Sequence, residues 1–277
     1  GQHAGATEAF LQLETEYPQS RWVPRARFGR ADVLVRQRSY QQAGEIYEAE
    51  AQRLLSSGRR DELVGIYLDF SDRYFEGIPS KDPAGEKKPD YQQALTYYEQ
   101  SLTLRPSLEN RQRIELRVAR CRQELGKHDE AIAAYQAFLA RYASEKTRPE
   151  AKAPDGLEVE ARFQLGRSQL AAGQPAEARK TWQDFLADDS TKEAGSDLIP
   201  EATYRLAATY GVPEPPTVGD LELGVRALEK FVESYSTHKL AAKAELQIAQ
   251  SYAHYGRYGQ AVERLLSLIG NKAYEAS

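Results

Sequence analysis

The chain has 277 residues, of which 41% are hydrophobic and 28% charged, with a formal net charge of −4. The apolar fraction suffices for ordered structure, and the charged fraction argues against a helix that spans a bilayer. The acidic balance, with a pI near 5.8, argues against a molecule that attracts nucleic acid over its whole surface.

The two ends of the sequence suggest a piece of a longer protein. The chain begins with Gly-Gln and contains no methionine. A targeting segment is therefore expected either to have been removed or never to have existed. Residues 272–277 resemble the first turn of a further helix, so we expect more repeats to follow in the parent protein.

Taken in order, the chain shows a repeating small residue that we interpret as the anchor of a second helix. Three of the six intervals between anchors are 37 residues, and the others are 46 to 51. The anchors are Ala6, Ala43, Ala94, Ala131, Ala178, Gly224 and Ala261. A large apolar residue follows each anchor by one helical turn, so both lie on one helix face. These residues are Phe10, Tyr47, Tyr98, Tyr135, Trp182, Leu228 and Leu265.

A second column of small residues predicts the first helix of each pair. Its members are Ala31, Ser71, Ala119, Gly166, Ala207 and Ala249. The turns within hairpins begin at Gly126, Gly173 and Gly256, where glycine supplies a left-handed helix exit. Together these signals predict an all-α fold, a solenoid of antiparallel helix hairpins.

The repeat spacing also sets the predicted boundaries. They are 1–20 for the second helix of a truncated repeat, 21–57, 58–106, 107–143, 144–190, 191–236 and 237–270 for six repeats, and 271–277 for a further helix. Segments rich in proline or charge predict solvated loops on the rim at 77–89, 143–156, 188–198 and 211–220. The loop at 77–89 is the first candidate for a contact specific to one partner.

These motifs resemble the tetratricopeptide repeat family. Its second-helix pattern, Ala-x-x-x-Phe with proline eight residues on, is similar to Ala6, Phe10 and Pro18 here. The segment Tyr17-Pro-Gln-Ser20 and the run Phe138-Leu-x-x-Tyr142 resemble bacterial cell-envelope members, including the barrel-assembly lipoprotein and the TolA-binding division coordinator. The resemblance implies that the solenoid is a right-handed superhelix and that it serves as a scaffold for protein partners. The narrower likeness implies a bacterial envelope or periplasm.

No set of residues has the types and the spacing that a catalytic, cofactor or metal site requires, so the sequence predicts none of these sites. The four histidines, His3, His128, His238 and His254, are scattered over different units, whereas zinc needs three or four converging ligands. Cys121 excludes an internal disulfide, and we expect it to pack as a small core residue. The abundant tyrosines mostly occupy core positions, so packing explains them better than base stacking.

If the family geometry holds, the first helices line a concave groove. The exposed positions of this groove lie on either side of the small residue in each first helix. We predict as partner-binding residues Arg113, Leu116, Arg120 and Gln123 in the third unit, Glu160, Phe163, Arg167 and Leu170 in the fourth, Arg205 in the fifth, and Lys243 and Gln250 in the last. Guanidinium groups beside apolar side chains suit a protein or peptide partner that carries carboxylates. The alternative is that these arginines pair with Glu160, Glu201 and neighbouring acids and only keep the surface soluble.

Two other functions stay open. Residues 21–38 are rich in arginine, and residues 188–222 are dominated by acids, so opposite charges favour a self-assembling segment or structural spacer. The basic end also admits an RNA-binding helical repeat, which the overall acidity argues against. The oligomeric state is not predicted.

Overall fold

The computed structural model describes residues 2–20, 22–53, 60–77, 88–146, 156–194 and 197–270. All regular secondary structure in these ranges is helical, so the predicted all-α class is confirmed. The helices are α1 (Gln2–Glu16), α2 (Val23–Arg36), α3 (Tyr40–Arg53), α4 (Arg60–Glu76), α5 (Tyr91–Thr103), α6 (Leu108–Glu124), α7 (His128–Lys146), α8 (Leu157–Ala171), α9 (Pro175–Ala187), α10 (Asp189–Ala194), α11 (Leu198–Ala208), α12 (Val218–Ser234), α13 (Ala241–His254) and α14 (Tyr258–Gly270). The chain divides into two units, Gly1–Asn110 and Arg111–Ser277.

In the first unit, α1 packs on α2, α2 on α3, and α4 on α5. Aromatic side chains fill the space between the hairpins, with Phe70 of α4 at the centre. Its ring centroid lies 5.3 Å from that of Tyr47, 5.0 Å from that of Tyr74 and 4.7 Å from that of Tyr97. These edge and tilted contacts join α3, α4 and α5 into one core.

The arginine-rich segment at 21–38 finds acidic partners within its own unit. Arg27 and Arg30 both approach Glu14 of α1, at 3.3 and 3.1 Å. Arg27 also pairs with the buried carboxylate of Glu50. Part of the basic charge expected at this end of the chain is therefore neutralised inside the unit.

The second unit contains the hairpins α6/α7, α8/α9, α11/α12 and α13/α14. Contacts between α7 and α8, between α9 and α11, and between α12 and α13 join successive hairpins. The small residues predicted to mediate close helix approach are buried: Ala119, Ala131, Gly166, Ala178, Ala207, Gly224, Ala249 and Ala261. Large side chains that pack beside them, such as Tyr135, Trp182 and Leu228, are completely buried.

The three predicted glycine turns adopt the left-handed conformation, as expected. The φ angles are +74° at Gly126, +74° at Gly173 and +69° at Gly256. The N–H of Gly126 donates to the carbonyl oxygen of Gln123 at 3.0 Å, closing the end of α6. Between α2 and α3 the same conformation belongs to Arg38, with φ +67°.

In the two segments predicted as solvated rim loops that the structure mostly describes, the majority of the described residues are exposed or half-buried, but each segment also contains buried residues. Residues 188–198 contain the short helix α10, whose Thr191 is fully buried. In 211–220, Val212 is buried so close to α12 that a β-carbon on Gly224 would lie 2.5 Å from it. Most of the loops predicted at 77–89 and 143–156, and the further helix at 271–277, lie outside the described residues.

The anchor pattern weakens at both described ends. Phe10 of α1 is only half-buried, and Leu265 of α14 is 37% exposed. On α14 only Ala261 is buried, because no other described helix covers the face that carries Leu266 and Ile269. Among the described helices, none combines the length and the apolar character needed to cross a membrane.

Candidate functional site

The predicted groove residues lie on α6, α8, α11 and α13 of the second unit, but the structure does not expose all of them. Arg113, Lys243 and Gln250 are exposed. Half-buried side chains form the rest of the accessible set: Arg120, Glu160, Arg167, Leu170 and Arg205. Leu116, Phe163 and Gln123 are buried.

Leu116 and Phe163 were predicted as groove residues, and the structure corrects this. Leu116 belongs to the core formed by α6, α7 and α8. The ring of Phe163 packs 6.5 Å from that of Trp182. The reason is helical geometry: a residue three positions before the anchor lies only about 60° from it around the helix, so it shares the packed face. Arg120 and Arg167, one position after their anchors, lie about 100° away and reach the surface.

Gln123 is also buried, at 7% exposure, because four positions after the anchor it lies about 40° from the packed face. Its amide oxygen accepts a hydrogen bond from the hydroxyl of Tyr135 at 2.9 Å. Its amide nitrogen donates to the amide oxygen of Gln164 at 3.4 Å. Gln123 is therefore a buried polar link between α6, α7 and α8 that reaches the groove only at its edge.

Four of the predicted residues meet in one pocket. Its volume is about 460 Å³. It is lined by Gln123, Glu124, Gly126, His128, Arg167, Leu170, Ala171, Trp182 and Arg205. The walls come from the C-terminal end of α6 and the turn after it, from the last turns of α8, and from α9 and α11. A cavity of this size accommodates a small ligand or one or two peptide side chains.

Glycine shapes the floor of the pocket. The ring of Trp182 packs over Gly166, where an added β-carbon would lie 2.4 Å from the indole nitrogen. The same nitrogen donates to the carbonyl oxygen of Phe163 at 3.2 Å. The missing side chain at Gly166 therefore lets α9 approach α8 and fixes the indole beneath the pocket.

Of the half-buried groove arginines Arg120, Arg167 and Arg205, two make the ion pairs that the alternative interpretation predicted. Arg120 donates to Glu160 at 2.8 Å, and Arg205 donates twice to one oxygen of Glu201, at 2.8 and 2.6 Å. All four side chains are partly exposed, so these pairs add little stability. For Arg120 and Arg205, intramolecular pairing thus accounts for the charge.

Arg167 differs from both. Its Nη1 donates to the neutral amide oxygen of Gln164 at 3.0 Å. Burial lowers the pKa of the guanidinium group, and the nearby cations Arg205 and Arg120 lower it further. Glu124 and Glu201 act in the opposite direction without reversing the shift. The pocket therefore contains a half-buried positive charge with a neutral intramolecular acceptor.

Sequence reasoning missed five residues that line the pocket: Glu124, Gly126, His128, Ala171 and Trp182. The available signal was the Gly126-Lys-His-Asp turn, which directly follows the groove helix α6. Its position beside α8 depends on how successive hairpins stack, which helical periodicity within one hairpin does not specify. In the described part of the chain, no three acidic, histidine or cysteine side chains converge as metal ligands would.

Comparisons with known proteins agree with this architecture. A model of the tetratricopeptide repeat matches residues 115–144 and 160–191. No curated protein matches the chain. Among solved structures, the C-terminal part of a TPR repeat-containing protein from Cytophaga hutchinsonii is similar over 99% of this chain and 93% of its own, at 15% identity and a TM-score of 0.58.

A second solved structure is MamA, from residue 41 to its end, of Desulfovibrio magneticus RS-1. It is similar over 77% of this chain and 97% of its own, at 17% identity and a TM-score of 0.52. At this level of identity, both likenesses show the fold alone. The hairpins α6/α7 and α8/α9 match the tetratricopeptide repeat family, and these two hairpins form much of the pocket.

Proposed function

We propose that the chain is a non-catalytic scaffold that binds a segment of a protein partner along the first helices of its second unit. The observation that carries this proposal is the pocket, which collects Arg167, Leu170 and Arg205 from two of those helices. A concave site with apolar walls and a few oriented polar groups is what a peptide side chain needs for specific binding.

The exposed residues beyond the pocket extend the proposed contact. Arg113 lies on α6, two to three turns before the pocket, and Lys243 and Gln250 lie on α13. An extended segment has side chains that alternate between its two sides, so one side chain can enter the pocket while others meet these flanking residues. Arg113, Lys243 and Gln250 are therefore proposed to adjust affinity rather than to anchor the partner.

Filling the pocket tests this function. Random peptides displayed on phage are selected against the whole chain, and their affinities are measured by fluorescence anisotropy. Ala171→Trp places a large ring in the pocket from an exposed position at the end of α8. Ala133→Trp makes the same change at an exposed position of α7 that does not line the pocket.

We expect the selected peptides to bind the Ala133→Trp variant as they bind the wild type. The Ala171→Trp variant should bind them about tenfold more weakly or worse, since about 1.4 kcal/mol of lost contact has that effect. Equal affinity of the peptides for both variants would show that they do not bind in the pocket. Circular dichroism of both variants checks that the fold is retained.

The other predicted roles have less support. Self-assembly through opposite charges is weakened by the pairing of Arg27 and Arg30 within the first unit. RNA binding predicts an affinity that falls steeply with salt, and absence of binding at low salt would argue against it. An envelope location rests on the likeness of Tyr17–Ser20 and Phe138–Tyr142 to envelope members and stays a prediction from sequence.

A further inference from the structure

The half-buried groove arginines, Arg120, Arg167 and Arg205, differ in which intramolecular group lies against their charge. Arg120 and Arg205 each pair with a glutamate side chain. Among the described residues, Arg167 has no carboxylate within the 4.0 Å that defines an ion pair. Its hydrogen-bond partner within the described ranges is the neutral amide of Gln164, which leaves the rest of the guanidinium fork available to a ligand.

Buried side chains hold the guanidinium group of Arg167 in place. Gln164 is buried and accepts hydrogen bonds from both Arg167 and Gln123. Gln123 in turn accepts one from the fully buried hydroxyl of Tyr135. A charged side chain whose support consists of buried, hydrogen-bonded amides loses little conformational freedom when it binds a ligand.

Two further groups define what enters the pocket. His128 presents a buried Nδ1 that has no hydrogen-bond partner among the described residues. Glu124 lines the same pocket and is exposed. Because this nitrogen is already covered by protein, the histidine contributes its ring to the pocket wall, whereas the negative charge of Glu124 repels an anion.

We infer that Arg167, with Arg205 beside it, binds a carboxylate of the partner inside this pocket, and that Leu170 contacts the apolar part of the same side chain. This inference rests on the proposed peptide-binding function. A planar guanidinium fork matches a carboxylate with two parallel hydrogen bonds, which gives both direction and strength. The ligand class is thus an acidic side chain or a chain-terminal carboxylate.

Binding of the isolated chemical group is measured first, without any peptide. The Nε–H signals of ¹⁵N-labelled arginine side chains are followed by NMR while sodium acetate replaces sodium chloride at constant ionic strength. We expect the Arg167 signal to shift and saturate, and to be absent in Arg167→Gln. A shift shared equally by all exposed arginines, or a saturable shift with inorganic phosphate and none with acetate, would overturn the carboxylate assignment.

The source of the carboxylate is then tested with one of the selected peptides. Its acidic residues are changed to the corresponding amides in one version, and its C-terminus is amidated in another. The version that loses affinity identifies the source, and if neither loses affinity the inference fails. Because acetate binding needs no peptide, loss of the proposed function and loss of this inference are distinguishable.

Variants that are expected to change the affinity in opposite directions complete the test. Arg167→Gln should weaken binding of the acidic peptide about tenfold, and Glu124→Gln should strengthen it because a repelling charge is removed. Arg226→Gln makes the same change as Arg167→Gln at an exposed position of α12 and should leave affinity unchanged. Equal effects of the Arg167 and Arg226 changes would show general charge attraction and overturn the assignment. Thermal unfolding of each variant confirms that folding is retained.

Discussion

The indole ring of Trp182 packs directly over Gly166, and a β-carbon at that glycine would lie 2.4 Å from the indole nitrogen. The ring is completely buried and is also tied to the carbonyl oxygen of Phe163 at 3.2 Å. It therefore has no room to move aside. This contact couples the packing of α8 on α9 to the floor of the proposed binding pocket.

Gly166→Ala should destabilise the protein. Forcing a methyl group into a packed core costs about 1–3 kcal/mol, which exceeds the gain of about 0.5–1 kcal/mol from replacing a helical glycine with alanine. Thermal unfolding followed by circular dichroism should show a lower midpoint.

The matched control is Gly65→Ala in α4, where an added β-carbon meets nothing within 4 Å. That variant has only the gain from replacing a helical glycine with alanine, so its unfolding midpoint should rise slightly. If Gly166→Ala were as stable as this control, the close packing of Trp182 on Gly166 would be wrong.

The helical core could be predicted from sequence because its determinants are local. Small residues such as Ala119 and Ala131, and large ones such as Tyr135, recur at spacings that place them on one helix face. The left-handed turn at Gly126 follows from the same local pattern, because only glycine adopts that conformation without strain. These predictions needed no knowledge of how hairpins stack.

The binding site was only partly predictable because its exposure depends on neighbouring helices. Leu116 and Phe163 were assigned to the groove by their offset from the anchor, yet that offset lies on the packed face. The pocket brings Gln123 of α6 and Arg205 of α11 together with Arg167 of α8, and this arrangement depends on contacts between hairpins. Such contacts leave no periodic signal in a single sequence.

Arg38 occupies a turn position that glycine holds in other hairpins. Its φ is +67°, close to the +74° of Gly126, and its N–H donates to the carbonyl of Val35 as that of Gly126 donates to Gln123. A left-handed conformation costs a residue with a β-carbon about 1–2 kcal/mol. Arg38→Gly should therefore raise the unfolding free energy, and Gly126→Ala should lower it, by about 1 kcal/mol each. Urea unfolding measures both, and changes of the same sign would contradict this account.

Among the described residues, the hydroxyl of Tyr135 is the one donor to the buried amide oxygen of Gln123, at 2.9 Å. Tyr135→Phe keeps the ring and leaves this oxygen without its donor, which should cost about 1–3 kcal/mol. Tyr258→Phe is the control, because this side chain is 68% exposed and the change should stay within about 0.5 kcal/mol. Similar stabilities of the two variants, measured by urea unfolding, would show that the buried hydrogen bond is not formed.

Glu245 predicts a pH dependence. Its side chain is 11% exposed and lies 3.5 Å from Arg264 of α14. Burial raises the pKa of its carboxyl above the usual 4.5; Arg264 opposes this shift, and Glu229 adds to it. The folded state therefore holds the proton more tightly than the unfolded state. The associated stability is present below about pH 4.5 and is lost as the pH rises through the folded pKa.

Glu245→Gln removes the ionisation, so the sign of its effect relative to the wild type should depend on pH. The variant should gain stability relative to the wild type between about pH 4 and about pH 7, as the wild-type carboxyl becomes charged in its buried position. Urea unfolding at several pH values measures this difference. Glu263→Gln changes an exposed carboxylate on α14 and should follow the wild type across the same range. A difference that stayed constant with pH would show that burial does not raise the pKa of this carboxyl, and a difference that decreased as the pH rose would show that attraction to Arg264 outweighs burial.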